Sequence, residues 1–506
     1  VKNDKRTIFG WAMYDWANSA YSTVIAGAVL PVFFEARVVG EAGWNGYSGE
    51  AMWSFVAAAA SAALFLLMPV LGAMADFSAG KKRFLAVFAY GGAVFSTLLF
   101  FAQSGAVIPT LALFFLAQVG FVAANVLYDG ILTDISTPDT IDKISARGFA
   151  TGYIGGGLYL LIAFVAIFVF ESDLVTRSMI AGAGLWWGGF TAFALSRIPD
   201  TSTTVPIPDV EVPRRALGLA GALFLIVVPG LIGLAYLASS PELGPILILL
   251  AVLTILVTIW WRVARSAARA PVSAGGLYRP TGRRAKLTMV GFLRTWSTVQ
   301  KLRRFPELLW FVVAFMLYND GIQTTIEIAA VYASGTLELD STAIAGTFLV
   351  VQFVAFGGAL LFGSLAHRLG IKSAIQVSLL VWIATSVTAY FIPAGSAAAF
   401  LGLGVVIGFV LGGTQALSRS LYGSMIPEEA SAEFFGFYSV FSKFSAIWGP
   451  LIFAFVRQLT GSGRPAILSL VLFFVLGSLI LARVDVAAAR ASKERWAFEG
   501  VDVSSR

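Results

Sequence analysis

The sequence predicts an all-α membrane protein: a twelve-helix core in two six-helix bundles plus an inserted two-helix hairpin, about 14 spans in all. Three observations carry that expectation. The chain is 58% hydrophobic and only 12% charged, about half the roughly 25% charge of an ordinary soluble domain. With a mean hydropathy of +0.83, much of its surface needs lipid as solvent. Apolar runs long enough to cross a hydrocarbon core of roughly 30 Å recur along the whole chain. They lack the two-residue alternation of a membrane β-barrel, so only helices satisfy their backbone groups internally. Finally, a pattern near the end of the second span returns 291 residues later, between Gly72 and Gly363.

The spans fall near 8–34, 51–75, 84–103, 108–132, 149–170 and 178–197. The first holds Asp15 and no small-residue cleavage site follows it, so it reads as a span and not as a cleaved signal. Two further apolar runs, 216–238 and 244–262, form the hairpin. The later spans are 307–332, 342–366, 373–392, 397–421, 434–456 and 465–483. Four segments follow: an N-terminal bundle 1–200, a central insertion 201–306, a C-terminal bundle 307–485 and a tail 486–506.

Charge orients the chain. With the N-terminus inside, about 30 of the 35 Lys and Arg lie on the cytoplasmic side, and Arg37, Arg177, Arg457 and Arg464 lie outside. That asymmetry satisfies the positive-inside rule and places both termini in the cytoplasm. The net charge of +7 is therefore a topology signal and not a sign of nucleic acid. Residues 262–306 hold eleven Arg and Lys and no acid. They read equally as a solvated linker or as an amphipathic segment on anionic lipid.

The chain has no cysteine and a single histidine, His367, so thiol chemistry, thiolate metal sites and histidine relays are not expected. No cofactor or resident metal is expected either. The clusters Gly155-Gly156-Gly157, Gly357-Gly358 and Gly412-Gly413 follow no strand and lead to no Lys-Ser/Thr pair. They read as helix-packing positions and not as phosphate loops.

The repeat is Gly72-Ala73-Met74-Ala75-Asp76 before Lys81-Lys82-Arg83, and Gly363-Ser364-Leu365-Ala366-His367-Arg368 before Lys372. A second correspondence sets Arg147-Gly148-Phe149 against Phe435-Gly436-Phe437. On these motifs the chain resembles the major facilitator superfamily, whose loop pattern is G-x-x-x-D-R-x-G-R-K. The first copy has Phe77 in place of the Arg and Gly80 one position late; the second loses the acid to His367. Tyr14-Asp15-Trp16-Ala17-Asn18-Ser19, Tyr318-Asn319-Asp320-Gly321 and Phe435-Gly436-Phe437-Tyr438 are similar to the branch of autophagy-related vacuolar amino-acid effluxers and their bacterial relatives. The resemblance implies two bundles rocking about a central cavity lined by spans one, four, seven and ten. It also implies amino-acid-like cargo and, for a bacterial member, the inner membrane.

Ionisable residues inside a membrane cost roughly 2.5–3.5 kcal/mol each on insertion scales, so each is a functional candidate. Asp15, Asn18 and Ser22 share one face of the first span, and Gln118, Asn125 and Asp129 a stripe of the fourth. Asp320, Gln323, Thr324 and Glu327 share a face of the seventh, and Gln415 and Arg419 lie on the tenth. Asp15, Asn18, Asn125, Asp129, Asp320, Gln323 and Gln415 are the candidate solute ligands. Lys443 is the lone base deep in a span, and Asp320 is its expected partner. Asp320, Glu327 and Lys443 are the candidate proton-coupling groups, since a desolvated carboxylate can exchange a proton near neutral pH. Gly72, Asp76, Arg83, Arg368 and Arg419 are candidate gate residues, with Asp76 expected to meet Arg83. The bland readings are interfacial charge for Asp15, Asp129 and Arg419, interhelical glue for Asn125 and Gln415, and a structural counter-charge for Lys443.

The expected function is secondary active transport of a small polar solute by alternating access, with a proton as coupling ion. A non-transporting receptor or partner-complex subunit, and a lipid transporter, remain alternatives on the same fold. The expected partners are the solute and membrane lipid; oligomeric state is open.

Overall fold

The computed structural model describes residues 2–40, 43–44, scattered positions from 52 to 76, 80–200, the pairs 212–213 and 277–278, and residues 305–445 and 448–494. The expected hairpin 216–262, the basic segment 262–304 apart from Leu277 and Tyr278, and the last twelve residues lie outside this set, and so does most of the second span. Nine helices among the described residues are long and apolar enough to cross a membrane.

The first span runs over Lys5–Val39. It starts as helix α1 (Lys5–Ala20), where Asp4 accepts hydrogen bonds from the Thr7 N–H and hydroxyl at 2.8 Å. Such a cap satisfies one of the donors a helix start leaves open. It then widens into a π-helical turn at Tyr21–Ala28, bends at Leu30–Phe33 (α2) around Pro31, and widens again to Val39. Proline removes one backbone donor and crowds the preceding turn, which accounts for the bend.

Helices α3 (Lys81–Leu98), α4 (Val107–Ile135), α5 (Ile141–Phe170) and α6 (Asp173–Leu195) complete the described part of the first half. After the insertion come α7 (Pro306–Gly335), α8 (Ser341–Leu369), α9 (Ile371–Phe391) and α10 (Ala397–Met425). Gly370 separates α8 from α9 at φ +83°, a left-handed backbone that disfavours any residue with a side chain. Within the insertion, Val212–Pro213 (β1) pairs antiparallel with Leu277–Tyr278 (β2).

The eleventh span departs from expectation. The apolar run 434–456 predicts one helix, but the chain forms α11 (Ser431–Phe444) and α12 (Trp448–Thr460), with Ser445 in a turn. Pro450 is the cause, because proline fits the first turn of a new helix and not the middle of a continuous one. Helices α13 (Gly463–Ser469), α14 (Val471–Arg483) and α15 (Val486–Glu494) end the described chain.

Packing sorts the helices. Before residue 200, α1 packs on α5 and α6, and α3 on α4 and α6; after residue 305, α7 packs on α14, and α10 on α8 and α9. Between the two groups, α5 lies along α8 and α10, and α4 meets α11. The termini of α1, α4, α5, α8 and α10 nearest Lys5, Ile135, Ile141, Leu369 and Met425 gather at one end, hereafter the near end.

The repeated glycines occupy equivalent contacts at that end. A Cβ on Gly72 would meet the Ala432 carbonyl of α11, and one on Gly363 would stand 2.5 Å from the Ala146 Cβ of α5. The 291-residue offset is thus a repeat of close backbone approach, one copy in each half.

Candidate functional site

The polar stripes of α1, α4 and α10 converge. Arg419 sits six residues before the end of α10, about 9 Å in from the near end at 1.5 Å per residue. Its guanidinium reaches Asp129 of α4 at 3.1 Å and Asp15 of α1 at 3.7 Å. It also donates to the Ser145 hydroxyl at 3.0 Å and the Ser145 carbonyl at 2.9 Å on α5. The rings of Phe149, Trp11 and Tyr128 stand 4.1, 5.0 and 5.5 Å from its centre, within cation–π range. Tyr128 in turn donates its hydroxyl to Asp15 at 3.1 Å. The Arg419 side chain is 4% exposed and those of Asp15 and Asp129 are 14% and 20% exposed. One cation from the later half is therefore neutralised and desolvated wholly by the earlier half.

Further into the bundle, Gln415 accepts a 2.6 Å hydrogen bond from the Tyr153 hydroxyl of α5, and Asn18 donates to Asn125 at 2.6 Å. Tyr21 donates to Gln118 at 2.8 Å. Most of the expected solute ligands thus face one another between α1, α4, α5 and α10.

A second charge cluster closes the near end. Asp76 accepts from the backbone N–H groups of Ala432 at 3.3 Å and Glu433 at 3.0 Å, so a carboxylate of the second span caps α11. Lys81 pairs with Asp76 at 3.3 Å and Asp134 at 3.0 Å, and donates to the Ser431 hydroxyl at 2.7 Å. Ser431 in turn donates its hydroxyl to the Gly130 carbonyl at 2.9 Å. At the rim, Lys2 pairs with Glu428 at 2.7 Å.

This corrects the expected contact between Asp76 and Arg83. Arg83 is 84% exposed in its side chain and stands 4.0 Å from Asp200. Lys81 takes its place because it opens α3 directly behind Gly80, where it is buried against Asp76 and Asp134. Arg368 is exposed at the end of α8 and makes no ion pair among the described residues.

Asp320 is buried, and its carboxylate accepts from the Gly449 N–H at 2.9 Å and the Thr324 hydroxyl at 3.4 Å. It caps the new helix α12. Asn319, one residue back, serves the other side of the break: its amide donates to the Ser445 hydroxyl at 2.6 Å and the Ser442 carbonyl at 3.3 Å. The pair therefore bridges the interruption of the eleventh span, supplying an acceptor to its orphan donors and a donor to its orphan acceptors. Gly449 fits because a Cβ there would collide with the Thr324 hydroxyl. Tyr318 adds a 2.7 Å hydroxyl contact to Ser418 of α10. Gln323 is half-buried and Glu327 exposed on the same helix. The side chain of Lys443 lies outside the described residues, so its expected pairing with Asp320 does too.

Both pieces of the eleventh span thus have their N-termini held by a carboxylate from another span, Asp76 for α11 and Asp320 for α12. The favourable dipole at a helix start and the unpaired N–H groups there explain why acids occupy both places. Sequence reading missed Lys81, Asp134, Ser145, Tyr153 and Ser431 as site residues. Lys81 was visible as a topology charge and as a basic residue of the repeated loop motif, and the others are ordinary in a helical sequence.

Comparison with known proteins agrees with this architecture. A family model described as "Vacuole effluxer Atg22 like" matches residues 209–494. An uncharacterised MFS-type transporter, YxiO of Bacillus subtilis, is 28% identical over 481 residues, covering 94% of each chain. Autophagy-related protein 22-1 of Emericella nidulans is 22% identical over 98% of this chain and 93% of its own. Among solved structures, the human organic anion transporter MFSD10 superposes with a TM-score of 0.62 at 15% identity, over 95% of this chain and all of that one. The proton:xylose symporter XylE does so at 0.56 and 13%, over 94% of each. At such identities the likeness is one of fold.

Proposed function

The chain belongs to the family of Atg22-like vacuole effluxers, and on that premise we propose that it is a proton-coupled secondary carrier of a small, amino-acid-like solute working by alternating access. The observation that carries this reading is the buried Arg419–Asp129–Asp15 cluster, which joins the two halves at one end. A carrier needs contacts strong enough to hold one end shut and able to be exchanged for others. A desolvated ion cluster between two packed bodies meets that need, because it is costly to leave half-made.

The near end is the cytoplasmic end in this reading. Lys2, Lys5, Arg6, Lys81, Lys82, Arg83, Lys143, Arg147, Arg368 and Lys372 all gather there, as the positive-inside rule requires. The conformation is then closed to the cytoplasm. The two six-helix halves, 1–200 and 307–485, are its moving bodies, and Gly72, Asp76, Lys81 and Arg419 are its latch.

Asp15, Asn18, Asn125, Asp129, Gln415 and Arg419 supply both acceptors and donors between the halves. A zwitterion requires both, an acceptor for its ammonium and a donor for its carboxylate. Asp320, with Glu327 and Lys443, is the proton-coupling candidate, and Gln323 stays with the solute ligands. A proton on Asp320 removes the negative charge facing the start of α12, so protonation is linked to the geometry of the broken span.

The test is accumulation of labelled zwitterionic amino acids by proteoliposomes under an imposed pH gradient. Wild type accumulates solute and loses accumulation with a protonophore, whereas Asp320→Asn only equilibrates it. Gradient-driven accumulation by Asp320→Asn at the wild-type level overturns the assignment of coupling to Asp320.

A further inference from the structure

A cavity of about 550 Å³ opens at the near end of the first half, lined by Asp4, Arg6, Thr7, Lys82, Arg197 and Pro199 among others. It is a shallow depression, open over most of its boundary. It lies where α1 begins, α3 begins and α6 has just ended, so it sits at the level where the chain leaves the apolar part of the membrane. None of the groups in the solute site or the latch lines it.

Its chemistry is cationic. Three basic side chains converge, Arg6, Lys82 and Arg197, against one carboxylate, Asp4. That carboxylate is engaged by the Thr7 backbone and hydroxyl at 2.8 Å, and Thr7 holds it below the usual carboxylate range. It caps α1, stays ionised and offsets part of the positive charge, with Arg6 among the groups that stabilise it, so three cations face one anion. Arg197 is held in place: its guanidinium lies 3.5 Å over the Phe193 ring, and one of its nitrogens donates to the Phe193 carbonyl and the Ser196 hydroxyl at 3.2 Å. A guanidinium has five N–H donors in a planar fork, so the remaining ones are available for a planar or tetrahedral anion. With Asp4 counted, the lining keeps an excess of two positive charges, and a phosphate suits both the arginine fork and the lysine point charge.

The rim says which phosphate. Phe9 is 53% exposed and meets Phe193 edge-on at 5.9 Å. The same Phe193 carries Arg197 on its face. An apolar, outward-facing aromatic pair therefore adjoins the cationic cavity, which is the arrangement an acyl chain beside a phosphate headgroup requires. We propose that this cavity is a binding site for the headgroup of an anionic phospholipid. The site stands apart from the solute reading, and in the proposed orientation it faces the cytoplasmic leaflet.

The test uses the full chain in neutral detergent, with retention of phosphatidylglycerol followed by native mass spectrometry and titration. Arg6→Gln, Lys82→Gln and Arg197→Gln are combined, glutamine keeping much of each side-chain stem. Lys143→Gln, Arg147→Gln and Arg483→Gln, all exposed at the near end, remove the same charge elsewhere. The cavity triple is expected to bind phosphatidylglycerol roughly 100-fold more weakly than wild type, from about a factor of five per basic side chain at a lipid surface. The control triple stays within about threefold of wild type. Equal weakening in both triples, or none in the cavity triple, overturns the proposal. Glycerol 3-phosphate separates the sources: competition only at concentrations far above the lipid's supports it, and competition at equal concentration shows a soluble phosphate site and overturns it. Circular dichroism and thermal melting of both triples establish that they are folded.

Discussion

Arg419→Gln removes the cation that joins the halves and leaves Asp15 and Asp129 facing each other across the near end. Removing one partner of a buried ion pair costs about 3–5 kcal/mol. Here the figure is discounted below that range, to about 2–3 kcal/mol, because the two carboxylates are 14% and 20% exposed and retain some water. The loss falls on the conformation in which the near end is shut, since only that conformation makes the contacts to Asp129 and Ser145. At 1.4 kcal/mol per factor of ten, the equilibrium shifts toward near-end opening by about 30- to 150-fold. The chain has no native cysteine, so spin labels on Arg83→Cys and Arg483→Cys, both exposed at the near end of opposite halves, attach nowhere else. Pulsed electron–electron resonance then reads the two populations as two distances. A longer-distance population that grows by an order of magnitude or more in Arg419→Gln is expected. Partial reversal is expected in the variant that adds Asp15→Asn and Asp129→Asn, because it removes the stranded charges. A distance distribution unchanged within threefold refutes the assignment of Arg419 as a latch.

Other outcomes follow from the same contacts. Lys81→Met strands Asp76 and Asp134 within the first half and is expected to destabilise the protein by about 3 kcal/mol, whereas Arg83→Met, at an exposed side chain, stays within about 0.5 kcal/mol; thermal melting separates them. Gly72→Val and Gly363→Val each place a side chain where the partner helix already stands, so both are expected to hold the near end apart while the protein still folds, and a closed distance in either contradicts the repeat reading. Asp320→Ala removes the acceptor at the start of α12 and is expected to destabilise the protein by about 2 kcal/mol, while Asp320→Asn keeps an acceptor oxygen and costs less than half as much; equal melting temperatures for the two would deny Asp320 a capping role.

Much of this architecture was legible in the residues. The polar stripes on α1, α4 and α10 stood out because a membrane tolerates few such groups, and the structure brings them face to face. The glycine repeat was legible as spacing, and its meaning, two equivalent close approaches between halves, required the packing. What stayed hidden was partner choice. Arg419 meets Asp129 across 290 residues of chain, and no local pattern encodes that pairing. Lys81 and Arg83 are two residues apart with like charge, and burial alone decides which meets Asp76. The break in the eleventh span was signalled by Pro450, yet the apolar run around it masked the signal. With the break unseen, Asp320 reads as a charge in want of a lysine, although it supplies an acceptor to a helix start.

Alternating access is tested most directly by a single cysteine between the halves. Asn125→Cys lies beside Asn18, deeper than the Arg419 cluster, and a membrane-impermeant thiol reagent can be added to either face of sealed vesicles. This cysteine is expected to react from the face opposite the near end in the otherwise unaltered protein, and from the near-end face as well once Arg419→Gln is added. Reaction from one face only, at the same rate with and without Arg419, would contradict it.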